Sequence, residues 1–257
     1  MRTILQLLFT LILCAPALFA QKVPPLPDSD LAAFTARGRM LAAYDAAAWH
    51  ATDAVRALKP AQGAVQKYNA RKTDAAWVGK FNDTKDAFLV AYEATQGSDS
   101  TQFMVKTNDP PQGDTGYFFV AAKAIDLALQ NSQLEKRPYN IYVLPADSGQ
   151  LCVYVIPAQT VANVYPLGGN RRFLESADGN KIIETRPLHK SIRDVTHSVP
   201  PGAKPVGGGH SHVLTDRPED THVFHVLRQK PPLPEGIGTR SGMYFVDVDG
   251  TIKHQKM

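Results

Sequence analysis

The sequence predicts an α+β protein, with a twisted mixed sheet and flanking helices over roughly residues 115–257, preceded by a long N-terminal helix and a β-hairpin. Apolar residues at three-, four- and seven-residue spacings indicate the helices. Short runs rich in β-branched and aromatic residues, separated by turn residues such as Asp-Gly, indicate the strands. A chain of 257 residues is long enough to bury a hydrophobic core of this kind.

The first twenty residues have the layout of a secretory signal peptide. Arg2 precedes an apolar run from Leu7 to Phe19, and this run is shorter than the approximately 20 residues that span a membrane. We therefore expect cleavage after Ala20 and a secreted or periplasmic protein with no stable membrane span. Cys152 is then the only cysteine left, so the fold must depend on its hydrophobic core rather than on an internal disulfide.

The charge pattern argues against a nucleic-acid partner. The formal net charge is +4, and the lysines and arginines are spread along the chain rather than gathered in one region. Binding to nucleic acid requires a concentrated basic patch. We expect no nucleic acid among the partners.

Residues 21–112 are predicted to form the N-terminal region. Apolar spacing indicates one long helix from Asp28 to Leu58, which Pro60 ends. The segments AAWVGKFN and DAFLVAYEA on either side of Asp83-Thr84-Lys85 indicate a β-hairpin, and Thr101–Lys106 is a candidate for one more strand. The segment TNDPPQGD is predicted to be a loop and the boundary with the α+β domain of residues 113–257.

The α+β domain is predicted to begin with a largely buried helix, Tyr117–Leu134. Two pairs of strands follow, and the Asp178-Gly179 turn of the second pair is a strong hairpin signal. A Pro- and Gly-rich connection then leads to a histidine-rich segment, a further helix, a loop (KPPLPEGIG) and a closing hairpin around Asp249-Gly250. The four predicted strands of the two pairs are YNIYVLP, LCVYVIP, RRFLES and KIIET.

The histidine-rich segment contains the strongest candidates for chemistry. His210 and His212 are two residues apart behind three glycines, so in an extended strand both imidazoles lie on one face while Ser211 points the other way. Two adjacent imidazoles are suitable ligands for zinc. The same two histidines could instead belong to a polar turn beside the glycines.

A third ligand can come from Asp216, Asp220, His222 or His225. Asp216 and Glu219 have the spacing of a capping box, which predicts that a helix begins at Asp216. With about 100° of rotation per residue, Asp220 then lies on the apolar, core-facing stripe, whereas His222 and His225 face solvent. A core-facing carboxylate needs a cation, so Asp220 is the favoured third ligand.

Two histidines and one aspartate leave one zinc position open, which is typical of a catalytic site. The VGGGHSH segment, followed by an acidic residue at a helix start, resembles the signature of JAMM (MPN-type) metallopeptidases in a degenerate form. The resemblance implies His210, His212 and Asp220 as zinc ligands and Glu135, placed by the order of elements, as general acid and base.

The chain departs from that signature at two positions. Val213 replaces the proline that follows the second histidine, and Arg217 replaces a serine that helps to hold the oxyanion. Arg217 can also stabilise an oxyanion as a charged donor. Glu184 is an alternative general base, and His189 is a candidate for lining the same cleft.

Three functions follow from these patterns. The first is an exported zinc-dependent JAMM-like hydrolase acting on a peptide or isopeptide bond of a peptide or protein substrate. The second is a non-catalytic secreted interaction module of the same fold, and the third is an exported metal-binding protein. The position of the Glu135 carboxylate relative to His210 and His212 discriminates among them, because a general base must lie within reach of the reacting water.

Overall fold

The computed structural model describes residues 23–61, 63–72, 75–196, 199 and 202–255, and the predicted signal peptide lies outside this part of the chain. The helices are α1 (Asp28–Ala57), α2 (Tyr117–Gln130) and α3 (Asp220–Arg228). The strands are β1 (Lys67–Lys72), β2 (Ala75–Phe81), β3 (Phe88–Gln96), β4 (Phe103–Asp114), β5 (Tyr139–Pro145), β6 (Leu151–Pro157), β7 (Val164–Gly168), β8 (Arg171–Glu175), β9 (Ile182–Pro187), β10 (Ile192–Thr196), β11 (Gly208–Ser211), β12 (Glu235–Thr239), β13 (Gly242–Val246) and β14 (Ile252–His254).

The strands form several small sheets instead of the single mixed sheet that the sequence predicted. The N-terminal sheet has the order β1-β2-β3-β4, the central sheet β5-β6-β8-β9 and the C-terminal sheet β11-β12-β13-β14, while β7 and β10 form a two-stranded ribbon. Among these pairs only β11 with β12 is parallel. The α+β class is confirmed, but the prediction of one sheet was wrong, because the strands pair only within these separate groups.

The central sheet lies between helices on both of its faces. Every residue of β6 is buried, so both sides of that strand need an apolar cover. Val143, Val153 and Phe173 face α2, whereas Tyr142, Leu144 and Cys152 pack with α1 and with Phe224 of α3. Within the described part of the chain, no helix combines the length and the apolarity needed to cross a membrane.

The segment TNDPPQGD is a strand and not the loop that the sequence predicted. It belongs to β4, which pairs with β3 and has a register shift opposite Val90 and Tyr92. Because β4 is the outer strand of its sheet, Pro110 and Pro111 remove no hydrogen bond from a strand on the other side. Residue 112 therefore lies inside a strand.

The helix and hairpin predictions were largely correct, with differences at the ends and in the short strands. The helix α1 matches its prediction closely, and α2 ends at Gln130, four residues before Leu134. Strands β1, β7 and β10 were not predicted, and β12 lies in a segment predicted to be a loop. These strands are short, and β10 and β12 carry charged or glycine residues that weaken an alternating apolar pattern.

A close contact between α1 and α3 sets the position of α3. Gly38 of α1 lies against the first turn of α3, and a Cβ built on it would be 2.4 Å from Val223 Cβ and 2.5 Å from the carbonyl oxygen of Asp220. Any larger residue at position 38 would therefore push the helices apart. On its other side, α3 packs Val223 and Val226 against the C-terminal sheet.

The substitution Gly38→Ala tests this contact. Alanine favours helix by about 1 kcal/mol over glycine, but the clash should dominate and lower the free energy of unfolding by about 1–3 kcal/mol. Urea denaturation monitored by circular dichroism measures the change. Gly113→Ala is the control, because no atom lies within 4 Å of a Cβ at that position; equal stabilities of the two variants would contradict the contact.

Glu175 is a buried carboxyl group without a hydrogen-bond partner among the described residues. Its side chain is at the end of β8, it is fully buried, and neither carboxylate oxygen has a partner. Burial raises the pKa of Glu175 from 4.5 to about 8. The folded protein therefore keeps this carboxyl group protonated at neutral pH, whereas the unfolded chain releases the proton.

Stability should consequently fall as the pH rises from 4.5 to about 8, because the folded state binds more protons in this range. Glu175→Gln should remove this contribution, so the difference in unfolding free energy between the variant and the wild type should grow by up to about 1.4 kcal/mol per pH unit. Urea titrations at several pH values measure it, with the exposed Glu135→Gln as control. Parallel pH profiles for wild type and Glu175→Gln would refute the prediction.

Candidate metal centre

Four histidines meet at one site in the described part of the chain. His189, His210, His212 and His222 each offer one ring nitrogen, and these four atoms all lie within 4.8 Å of one another. His189 follows β9, His210 and His212 belong to β11 and its end, and His222 lies in the first turn of α3. We call these four residues the histidine cluster; such a cluster can hold a metal ion.

Strand β11 directs two of the four imidazoles. It pairs in parallel with β12, where His210 lies opposite Ile237, and the backbone N–H of His212 donates to the carbonyl oxygen of Gly238 at 2.8 Å. The backbone is therefore held on both sides of Ser211. Ser211 itself is exposed, and the structure brings His210 and His212 together as their two-residue spacing predicts.

His222 was not favoured by the sequence because its side of α3 was expected to face solvent, whereas the structure buries that side as well. The predicted helix start was also wrong. Glu219, not Asp216, is the N-cap of α3, and its backbone N–H donates to Nδ1 of His222 at 2.9 Å. Asp216 instead pairs with Arg240. His222 is completely buried and His225 is 3% exposed, so the prediction that both face solvent was also wrong.

Asp220 faces the core, as predicted, but its partners are not the histidines. One carboxylate oxygen of this fully buried residue accepts from the Tyr154 hydroxyl at 2.5 Å and lies 3.3 Å from the Arg172 guanidinium. A core-facing carboxylate requires a cation, and here Arg172 supplies it. The structure thus brings His222 to the cluster in place of Asp220.

His189 reaches the cluster through an anchored connection. The preceding Leu188 is fully buried, and its backbone N–H donates to the carbonyl oxygen of Asn170 at 2.9 Å. Nε2 of His189 then lies 2.9 Å from Nε2 of His222, and Nε2 of His210 lies 3.1 Å from the same atom. Nε2 of His222 is therefore close to both neighbouring rings.

Residues behind the cluster hold the rings in position. Glu235, 4% exposed, places one carboxylate oxygen 2.9 Å from Nδ1 of His210 and the other 3.5 Å from Nε2 of His225. The Thr215 hydroxyl lies 3.0 Å from Nε2 of His212 and donates to the carbonyl oxygen of Arg217. Carboxylates and hydroxyls behind ligating histidines orient the ring and fix its tautomer.

The buried histidines of the cluster are neutral at pH 7. Burial, with smaller contributions from neighbouring imidazoles, lowers the pKa of His189 to about 3 and that of His212 to about 4. Burial also brings the pKa of His222 well below its usual value. A metal ion is bound by the neutral imidazole, so these environments keep the rings in the form that coordinates.

The other sequence-predicted site residues lie elsewhere. Glu135 is exposed after α2, where its backbone N–H donates to the Tyr139 hydroxyl. Glu184 is exposed on β9, 3.8 Å from Arg186. The Arg217 guanidinium lies 5.7 Å from the centre of the Phe34 ring. None of the side-chain contacts found in the described part of the chain joins Glu135, Glu184 or Arg217 to the histidine cluster.

Comparison of the chain with protein-family models, with curated proteins and with solved structures finds no match. The resemblance to JAMM metallopeptidases therefore stays a prediction from the motif. The site has to be interpreted from its own geometry.

Metal content should depend on His222 rather than on Asp220. We expect His189→Ala and His222→Ala to lower the metal bound per folded chain, because each removes a ring nitrogen from the cluster. Asp220→Asn should leave it unchanged, because the amide oxygen can still accept hydrogen bonds from Tyr154 and Arg172 and keep α3 in place. Elemental mass spectrometry after dialysis measures the content, and circular dichroism confirms folding. His50→Ala, outside the cluster, is the control; normal metal content in His222→Ala together with loss in Asp220→Asn would contradict the assignment.

Glu235 should strengthen metal binding through His210. Removal of a carboxylate behind a ligating histidine typically lowers metal affinity by about 10–100-fold, and we expect a change of this size for Glu235→Gln. Competition with a chromophoric chelator measures the affinity. Asp247→Asn, an exposed carboxylate on the same sheet, should behave like wild type, and an unchanged affinity in Glu235→Gln would show that His210 does not need this partner.

Proposed function

We propose that the protein is an exported zinc-binding protein and that His189, His210, His212 and His222 together hold the ion. The observation that carries this proposal is the convergence of four largely buried imidazoles from three separate segments of the chain. Burying several polar rings in one place is unfavourable unless they have partners. A shared cation provides a partner for all four.

The donor set fits zinc in both chemistry and spacing. Imidazole nitrogen suits zinc, copper and nickel, whereas calcium and magnesium prefer oxygen ligands. Zinc–nitrogen distances of about 2.0–2.1 Å place tetrahedral ligand atoms about 3.4 Å apart. The measured separations of 2.9 Å and 3.1 Å, with a maximum of 4.8 Å, need only small side-chain adjustments.

Four protein ligands and the positions of the carboxylates favour binding over catalysis. A zinc ion held by four side chains has no open position for a substrate. The predicted general base, Glu135, is exposed and has no contact with the cluster among the described residues, and Glu235 contacts His210 on its Nδ1 side. This arrangement best supports the storage or transport of the ion.

One observation favours a second candidate, the predicted hydrolase of peptide or isopeptide bonds. Nδ1 of His222 accepts a hydrogen bond from the backbone N–H of Glu219, so the neutral ring carries its proton on Nε2. It coordinates through Nε2 only if this hydrogen bond breaks and the proton moves to Nδ1; if the bond persists, His222 is not a ligand. Three ligands and one open position would then remain, as in catalytic zinc sites. Bound zinc supplies Lewis acidity toward a carbonyl group, and His222 would donate a hydrogen bond from Nε2 to the substrate oxygen.

X-ray absorption spectroscopy of the zinc-loaded mature protein separates the two functions by counting imidazole ligands. Zinc binding with four imidazoles, and no turnover of a panel of peptides and isopeptides, is the expected result. Three imidazoles plus one oxygen ligand, with turnover that His222→Gln abolishes and Glu135→Gln leaves unchanged, would establish the hydrolase instead. Failure to bind zinc at one ion per chain would overturn both.

Export is tested separately, by N-terminal sequencing of the protein recovered outside the cytoplasm. A mature N-terminus at Gln21 is expected from the predicted cleavage after Ala20. An intact N-terminus in the cytoplasm would contradict export without affecting the metal proposal.

A further inference from the structure

A separate cavity of about 930 Å³ lies between α1, β5 and the chain that leaves α3. Its volume is within the range of small-molecule binding sites. No member of the histidine cluster lines it. Helix α3 lies between the two sites, with His222 in its first turn and Arg228 at its last residue.

The walls of this cavity carry an excess of positive charge. Arg56, Lys67, Arg228 and Lys230 line it. Lys67 forms an ion pair with Asp126. The other three cations have no carboxylate within 4.0 Å among the described residues. Arg56 and Lys230 are exposed and Arg228 is half-buried, so all three are accessible to an anionic ligand in the cavity.

The one acidic residue in the lining compensates these cations poorly. The Asp45 carboxylate accepts a hydrogen bond from the Tyr142 hydroxyl, and it forms no ion pair with Arg228 or Lys230. Burial raises the pKa of Asp45, against the opposing influence of Arg228 and Lys230. The cavity therefore keeps a net positive potential.

Flat rings stand beside the unpaired cations. Trp49 is half exposed and stacks on His50, with ring centroids 5.1 Å apart and an interplanar angle of 19°. The Lys230 ammonium lies 4.6 Å from the centre of the Trp49 ring, and the Arg228 guanidinium lies 5.2 Å from the Phe224 ring. A ligand ring that stacks on Trp49 takes the place of the His50 ring or of the Lys230 ammonium, both exchangeable surface contacts, and its charge then meets Arg228 and Lys230.

We propose that this cavity binds a small aromatic anion, such as an aryl carboxylate or an aryl sulfonate, independently of the histidine cluster. Trp49 provides the stacking surface, and Arg228 and Lys230 neutralise the acidic group. Ion pairs with charge-assisted hydrogen bonds give the affinity. A compact inorganic anion has no ring to stack on Trp49 and should therefore bind more weakly. Loss of zinc binding would leave this site intact.

The probe for this site is 8-anilinonaphthalene-1-sulfonate, and its uncharged counterpart, N-phenyl-1-naphthylamine, tests the role of the charge. In fluorescence titrations we expect saturable binding of one sulfonate probe per wild-type chain. Arg228→Gln/Lys230→Gln should weaken the sulfonate by at least about tenfold, as loss of charge-assisted contacts predicts. The same double variant should change the uncharged probe by less than about twofold.

Two control variants make the outcome decisive. Arg240→Gln/Lys253→Gln removes the same net charge at exposed positions outside the cavity, and it should bind the sulfonate like wild type. His222→Ala should also bind it like wild type, since it lies outside the cavity. The proposal would be overturned if Arg228→Gln/Lys230→Gln bound the sulfonate as tightly as wild type, or if the control pair weakened binding equally. The absence of saturable binding to wild type would overturn it as well.

Discussion

The buried contact of Asp220 with Arg172 and Tyr154 orients α3 about its axis, and the geometry of the histidine cluster depends on that orientation. Asp220 and His222 are two residues apart on the helix, so their side chains point about 200° away from each other. When Arg172 and Tyr154 hold Asp220 against the central sheet, His222 must turn toward β11 and the chain after β9. Gly38 sets the distance between α1 and α3, because its lack of a side chain allows α1 to contact the first turn of α3 directly.

The polar residues of α3 are buried to an unusual degree for so short a helix. Glu219, Asp220, Thr221, His222 and His225 are each 3% exposed or less, while Val223, Phe224 and Val226 fill the remaining core-facing positions. Buried polar groups reduce stability unless they are paired. Their concentration at one helix end indicates that this part of the fold is organised around a site rather than around maximal stability.

Long periodic patterns predicted most of the fold, and short-range geometry explains the errors. The spacing of apolar residues located α1 and α2, and the Asp-Gly turns located the β8–β9 and β13–β14 hairpins. The start of α3 was mispredicted because Asp216 has the better N-cap residue type, whereas in the structure Asp216 pairs with Arg240, which is distant in sequence, and Glu219 is the N-cap. His222 was expected to face solvent because the sequence does not show that both sides of α3 are buried. His189 follows an exposed strand, and its anchor at Asn170 is a tertiary contact with no sequence signal.

The wide sequence separation of the clustered histidines has a further consequence if they bind a metal ion, since Cys152 is a free cysteine and forms no cross-link. His189 and His222 are 33 positions apart, and an ion that binds both closes the intervening chain into a ring. A permanent cross-link around a ring of this size restricts the unfolded chain by about 4 kcal/mol in the chain-entropy model. A bound metal ion would therefore act as a reversible cross-link. The resistance of the protein to heat and to proteases would then depend on the supply of metal around it.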